Sequence, residues 1–157
     1  MNSLKEAPDG FTVVDLSSLL ARYRITSQDI VSRNIKSLRI TNSKKENSLG
    51  DRKACLLMGA NSLVSVDLRE LHDVKYIQSY FLLGCRSLQC VNLSGLSNVT
   101  LISDGFLSGC PELRSVNLGA FGSVNQIGNY SDVRFGLFVN KSDYAGFLKD
   151  CTKLQEL

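Results

Sequence analysis

One short apolar pattern occurs three times at a fixed interval between residues 63 and 118. Two positions of the pattern show this interval: Leu63, Leu88 and Leu113, and then Val66, Val91 and Val116. The same interval relates three further positions: Leu71, Leu96 and Phe121; Val74, Val99 and Val124; Ile77, Ile102 and Ile127. A period of about 25 residues is typical of a solenoid, in which each repeat buries its apolar face only against its neighbours.

Each repeat predicts one short strand followed by turns. In Val91-Asn92-Leu93 the alternation places Val91 and Leu93 on one face and Asn92 on the other. Strands of successive repeats would pair as a parallel sheet, with the polar residues on the concave face. Behind them, apolar residues at intervals of three predict a turning backbone with short helical or irregular turns on the convex face. Gly84 and Gly109 are expected to end these turns with a positive φ.

The repeats divide the whole chain, 1–157, into the parts of a single domain. The divisions are a tail (1–10), coils near 11–34, 35–62, 63–87, 88–112 and 113–153, and a truncated coil (154–157). The first coil is aligned by matching Val14 with Leu38. The interval from Cys110 to Cys151 is much longer than one period, which indicates an insertion at about 128–146. Because the chain stops inside a repeat, a partner or a longer parent chain is expected to cover that end.

The motif of each repeat resembles a known family. Cys85-x-x-Leu88-x-x-Val91-x-Leu93 recurs from Cys110, and the block Phe81-Leu82-Leu83-Gly84-Cys85 recurs from Phe106. Both resemble the leucine-rich repeat, and more narrowly its Treponema-type (BspA-like) subclass. The resemblance implies an α/β solenoid with a parallel sheet on its concave face. It also implies recognition surfaces rather than one catalytic activity.

The sequence shows no catalytic motif, since it has no Gly-rich phosphate loop and no carboxylate pair at a convincing spacing. The formal net charge is +3, and residues 1–60 hold ten Lys and Arg against six Asp and Glu, which mildly favours an acidic partner. Cys85, Cys110 and Cys151 share one repeat position, so they are interpreted as packing residues. His72 is the one histidine and lies in a polar segment. We therefore predict no catalytic residues, no metal site and no cofactor.

Three groups of residues are candidates for binding. The first group is the aromatic residues of the insertion: Tyr130, Phe135, Phe138 and Tyr144. The second group is the polar residues of the predicted concave face: Asp67, Arg69, Asn92 and Asn117. The third group is basic and is a candidate for an acidic partner: Lys44, Lys45, Arg52 and Lys53. The alternative for each group is structural: aromatics capping the last coil, a solvated sheet face, and an exposed polar loop over residues 41–53.

The leading functional hypothesis is a non-catalytic leucine-rich-repeat scaffold that binds another protein. One alternative is a fragment of a cell-surface or secreted adhesin, to which four Asn-x-Ser/Thr sequences are relevant: those at Asn92, Asn98, Asn129 and Asn140. A second alternative is a subunit of a ribonucleoprotein, in contact through Arg22, Arg24 and the basic group above. With neither a signal segment nor a membrane span evident in the sequence, the expected location is the cytoplasm. An extracellular surface is the alternative.

Overall fold

The protein is built from short strands joined by turns. The structure is a computed structural model that describes residues 4–50, 55–128, 130–131 and 146–155. The strands in these residues are β1 (Lys5–Glu6), β2 (Thr12–Asp15), β3 (Ser37–Thr41), β4 (Ser48–Leu49), β5 (Ser65–Asp67), β6 (Tyr76–Ile77), β7 (Cys90–Asn92), β8 (Leu101–Ile102), β9 (Gln126–Ile127) and β10 (Tyr130–Ser131). The helices are α1 (Leu16–Leu20), α2 (Ser27–Ser32) and a 3-10 helix (Leu118–Ser123). No helix in the described ranges has the length and apolar character to cross a membrane.

The first sheet has the strand order β1-β2-β3-β5-β7 and is parallel from β2 onward. Leu38 pairs with Val66, and Val66 pairs with Val91, so each residue meets its equivalent in the next repeat. Leu38, Val66 and Val91 are buried. The residue that follows each of them along its strand faces the opposite side of the sheet. The strands predicted at these repeats are therefore confirmed, and so is the register between them.

The beginning and end of this sheet differ from the sequence prediction. The segment 1–10, predicted as a tail or a loosely attached cap, contains β1, which pairs with β2 in antiparallel fashion at the edge of the sheet. Val14 pairs with Ile40 and not with Leu38, which corrects the register of the first coil by two residues. The strand expected around Val116 is reduced to an isolated bridge at Ser115, and the chain turns into the 3-10 helix two residues after Val116.

A second sheet lies behind the first in each repeat, with the strand order β10-β9-β8-β6-β4. Its strands contain only two residues each, and in four of them one of the two points inward: Leu49, Ile77, Ile102 and Ile127. Spacing by three predicted a turning backbone at these positions but not the pairing of strands. The exposed loop predicted over 41–53 is wrong at Leu49, because this residue lies in β4 and is fully buried. In each of these four strands the second sheet adds one buried residue to those that the first sheet buries.

Backbone hydrogen bonds also join the Phe-containing blocks of successive repeats. Leu107 N–H donates to Phe81 O and Leu148 N–H donates to Phe106 O, each at 3.2 Å. Positive φ alternates with ordinary φ in each block, as at Leu107 (φ 56°) and Gly109 (φ 67°). The positive φ expected for Gly84 and Gly109 is confirmed. Of the helical or irregular turns predicted before Gly109, the backbone forms the irregular kind, because alternating handedness of the backbone is incompatible with a helix.

The interior is filled by aromatic rings and thiols that occupy equivalent places in successive repeats. The ring of Phe106 stacks on Phe81, with centroids 5.7 Å apart, and on Phe147, with centroids 5.4 Å apart. Cys85 and Cys110 are fully buried, and their thiols donate to Leu57 O and Leu82 O. Burial raises the pKa of the Cys85 thiol to about 12 and raises the pKa of Cys110 as well. These thiols are therefore protonated packing groups, as the sequence predicted.

At Gly95 the backbone lies close against the backbone of the preceding repeat. A Cβ atom added there would lie 2.4 Å from Leu68 O and 2.5 Å from the carbonyl carbon of Arg69. Because both contacts are to backbone, Gly95→Ala is expected to lower the free energy of unfolding by about 2–3 kcal/mol. Urea denaturation followed by far-UV circular dichroism measures this change.

Gly122 provides the matched control for this substitution. It lies in the 3-10 helix, and an added Cβ atom meets no atom within 4 Å. Gly122→Ala is expected to change the free energy of unfolding by no more than about 0.5–1 kcal/mol, and in the stabilising direction. Equal effects of the two substitutions would contradict the close approach at Gly95.

Candidate interaction surface

The polar row on the outer face of the first sheet consists of Arg39, Asp67 and Asn92, which pair in register across β3, β5 and β7. Asn117 continues this row beyond the last strand. The carboxylate or amide oxygens of Asp67, Asn92 and Asn117 each accept a hydrogen bond from the backbone N–H two residues later. The N–H donors belong to Arg69 at 3.1 Å, Ser94 at 3.0 Å and Gly119 at 2.9 Å. These Asx turns let the chain leave each strand in the same way.

The sequence interpretation missed this structural role and misplaced one member of the row. The predicted alignment of Val14 with Leu38 places Asp15 beside Arg39 in this row, but Asp15 pairs with Thr41, two residues further along β3. Its carboxylate accepts from the Ser17 hydroxyl and caps α1 by accepting from Ser17 N–H, and it also accepts from Thr41 Oγ1–H and Ser43 N–H. Burial raises the pKa of Asp15, but these hydrogen bonds outweigh burial and lower the pKa to about 2. The carboxylate is therefore ionised at neutral pH.

Arg39 and Asp67 form a buried ion pair in the polar row. Arg39 Nε donates to Asp67 Oδ2 at 3.0 Å, and the two residues are 9% and 4% exposed. A solvated sheet face was one prediction for this region, and at these two residues it is wrong. Asp9 supplies a second carboxylate to Arg39 from the β1–β2 turn, and the Phe11 ring lies 4.8 Å from the guanidinium carbon. The N-terminal hairpin therefore covers Arg39.

Arg69 contacts the same carboxylate from the other side. Its Nε lies 3.2 Å from Asp67 Oδ2, and 49% of its side chain is exposed. Asp67 thus forms ion pairs with a buried arginine and an exposed arginine, and its own carboxylate is nearly inaccessible to solvent. The sequence predicted Asp67 as a contact residue, but Arg69 is the member of this pair that a partner can reach.

A shallow groove lies at the next repeat, where the first sheet ends. It is an open hollow of about 420 Å³ lined by Val91, Asn92, Leu93, Ser94, Asn117, Gly119 and Ala120. We call it the Asn groove. It forms because β7 ends at Asn92 while the following repeat turns into the 3-10 helix at Leu118. The structure therefore brings Asn92 and Asn117 together, and both are exposed.

The remaining candidates are not brought to this surface by any described contact. Lys44 and Lys45 are exposed in a turn that the Asn42 side chain closes by two 2.8 Å hydrogen bonds to the backbone of Glu46. Tyr130 begins β10, whose backbone pairs with β9. The other predicted contact residues lie outside the described residues: Arg52, Lys53, Phe135, Phe138 and Tyr144.

Comparison with known proteins identified no relative of this chain. No family model, no curated protein and no solved structure matches it. The function is therefore argued from the polar row and the Asn groove.

Proposed function

We propose that the chain is a leucine-rich-repeat solenoid and acts as a non-catalytic module that binds another protein through the outer face of its first sheet. The observation that carries this proposal is the register of that sheet. Strands one repeat apart place Asp67 beside Asn92, and the chain leaves each strand by the same Asx turn. Arg69 and the Asn groove consequently form one continuous surface.

The chemistry of this surface favours recognition. The polar groups of the Asn groove are amides, a hydroxyl and backbone groups, which donate and accept hydrogen bonds but do not titrate near neutral pH. Val91 and Leu93 are buried, so Ala120 is the partly exposed apolar residue of this lining. Fixed polar groups along a shallow groove can bind a protein segment and define its orientation.

Site-specific photocrosslinking tests the proposal. A benzophenone amino acid is placed at Ser94, on the rim of the Asn groove, and in a second variant at Tyr76, on the outer face of the second sheet. In native lysate the Ser94 variant is expected to give a discrete crosslinked protein, at least about fivefold more than the Tyr76 variant. Excess unlabelled protein should suppress it.

Tyr76 is a suitable control because, like Ser94, it is exposed to solvent, and because its side chain is already aromatic. The same pattern of products at both positions would indicate non-specific capture. That result, or the absence of a discrete product at Ser94, would contradict binding through the first sheet.

A further inference from the structure

We propose that the segment bound at this surface is acidic and extended, with a carboxylate on Arg69 and main-chain carbonyls on the side-chain amides of Asn92 and Asn117. This inference rests on the proposed function and adds the chemistry of the partner. It follows from which polar atoms are already engaged within the protein and which remain on the surface.

The two asparagines present hydrogen-bond donors. Oδ1 of Asn92 accepts from Ser94 N–H and Oδ1 of Asn117 accepts from Gly119 N–H. The Asx turns thereby fix the orientation of both amides and leave the Nδ2 groups to meet a ligand. A ligand that satisfies two amide N–H groups on neighbouring repeats must present acceptors, and the carbonyls of an extended backbone are acceptors at regular spacing.

Arg69 supplies an exposed positive charge at the end of β5, and the exposed carboxylate of Glu70 follows it in the chain. The carboxylate of Asp67 is buried against Arg39, and the second carboxylate on Arg39 comes from Asp9 at the far end of the cluster. At the near end Arg69 uses Nε for Asp67, and the remainder of its half-exposed guanidinium faces solvent. A planar guanidinium with free N–H groups binds a carboxylate strongly and with defined geometry.

The spacing of the sheet sets the length of the ligand. Neighbouring strands lie about 4.8 Å apart, so Arg69 and Ser94, which follow the paired strands β5 and β7, are about one strand spacing apart. Asn117 lines the Asn groove beyond the last strand. An extended chain advances about 3.3 Å per residue, so six residues reach about 20 Å. A peptide of six residues is therefore long enough to occupy the surface from Arg69 to the Asn groove.

The binding of a fluorescein-labelled hexaglutamate peptide tests this inference. Fluorescence anisotropy at low salt is expected to show binding that hexaglutamine does not show. Arg69→Gln and Asn117→Asp are each expected to weaken it by about fivefold or more. Aspartate can still accept the Gly119 N–H bond, so Asn117→Asp keeps the Asx turn while it adds a repelling charge. Circular dichroism verifies that both variants remain folded.

Glu70 and Lys44 provide two further checks. Glu70 is exposed and adjacent to Arg69, so Glu70→Gln is expected to strengthen binding of hexaglutamate about twofold. Lys44→Gln together with Lys45→Gln removes exposed positive charge elsewhere and is expected to leave binding within about twofold. Absence of binding, no effect of Arg69→Gln, or loss of binding in the Lys44 and Lys45 variant would each overturn the inference.

The peptide experiment tests the acidic ligand, and the crosslinking experiment tests the binding module, so either proposal can fail without the other. A crosslinked protein at Ser94 together with no binding of hexaglutamate would overturn the acidic ligand and retain the binding module. No crosslinked protein at Ser94 would overturn the module itself, whatever the peptide does.

Discussion

Replacing Asp67 by alanine is expected to lower the free energy of unfolding by about 4 kcal/mol. The substitution leaves the guanidinium of Arg39, which is 9% exposed, without its buried carboxylate. It also removes the acceptor for the Arg69 N–H at the end of β5. Urea denaturation followed by far-UV circular dichroism measures the change, because the chain contains no tryptophan to serve as a fluorescent probe.

Two comparisons separate the charge from the turn. Asp67→Asn preserves the Asx turn and is expected to lose most of the same stability, since the charge is removed. Combining Arg39→Met with Asp67→Asn is expected to recover part of the loss, because no unpaired charge remains buried. Asp9→Asn removes the half-exposed carboxylate and is expected to cost much less stability than Asp67→Ala. A loss below about 1 kcal/mol for Asp67→Ala would contradict a structural ion pair.

Phe106→Ala is expected to have an effect of similar size, about 4 kcal/mol. The ring of Phe106 is fully buried and contacts three other rings, those of Phe81, Phe121 and Phe147. Truncation leaves a cavity between three consecutive repeats that their paired backbones cannot close. The same denaturation experiment measures the loss.

A smaller truncation at Phe106 and the loss of an exposed ring at Tyr76 serve as controls. Phe106→Leu retains most of the volume and is expected to cost about 1.5 kcal/mol or less. Tyr76→Ala removes an aromatic ring that is 38% exposed and should change stability by about 0.5 kcal/mol. If Phe106→Ala resembled Tyr76→Ala, the stacked rings would not be a structural core.

The sequence predicted those parts of the fold that depend on the regular recurrence of apolar residues. Residues such as Val66 and Val91 recur at one interval because each occupies the same buried place, and their strands pair as expected. The second sheet was missed because two-residue strands such as β6 and β8 leave no alternation to detect. The strand β1 was missed because it precedes the first repeat, whereas β2 lies within the predicted first coil.

The candidate surface was predicted less completely, since its properties depend on contacts distant in the chain. The sequence identified Asp67 and Asn92 as outward strand residues. It could not show that Arg39 and Asp9, from β3 and the N-terminal turn, bury the first of them. An Asp or Asn at the end of each strand segment was a usable signal for the Asx turns. The orientation of the amides follows from those turns.

The pairing of Leu148 with Phe106 shows how this chain accommodates added length. These two residues hydrogen-bond across a longer interval of the chain than the equivalent pair one repeat earlier, Leu107 and Phe81. The entropy of closing a loop grows only with the logarithm of its length, so the longer interval costs about 0.4 kcal/mol more. That amount is far smaller than the contribution of one buried ring. Residues can therefore be inserted between consecutive repeats, and new surface acquired there, without displacing the repeats on either side.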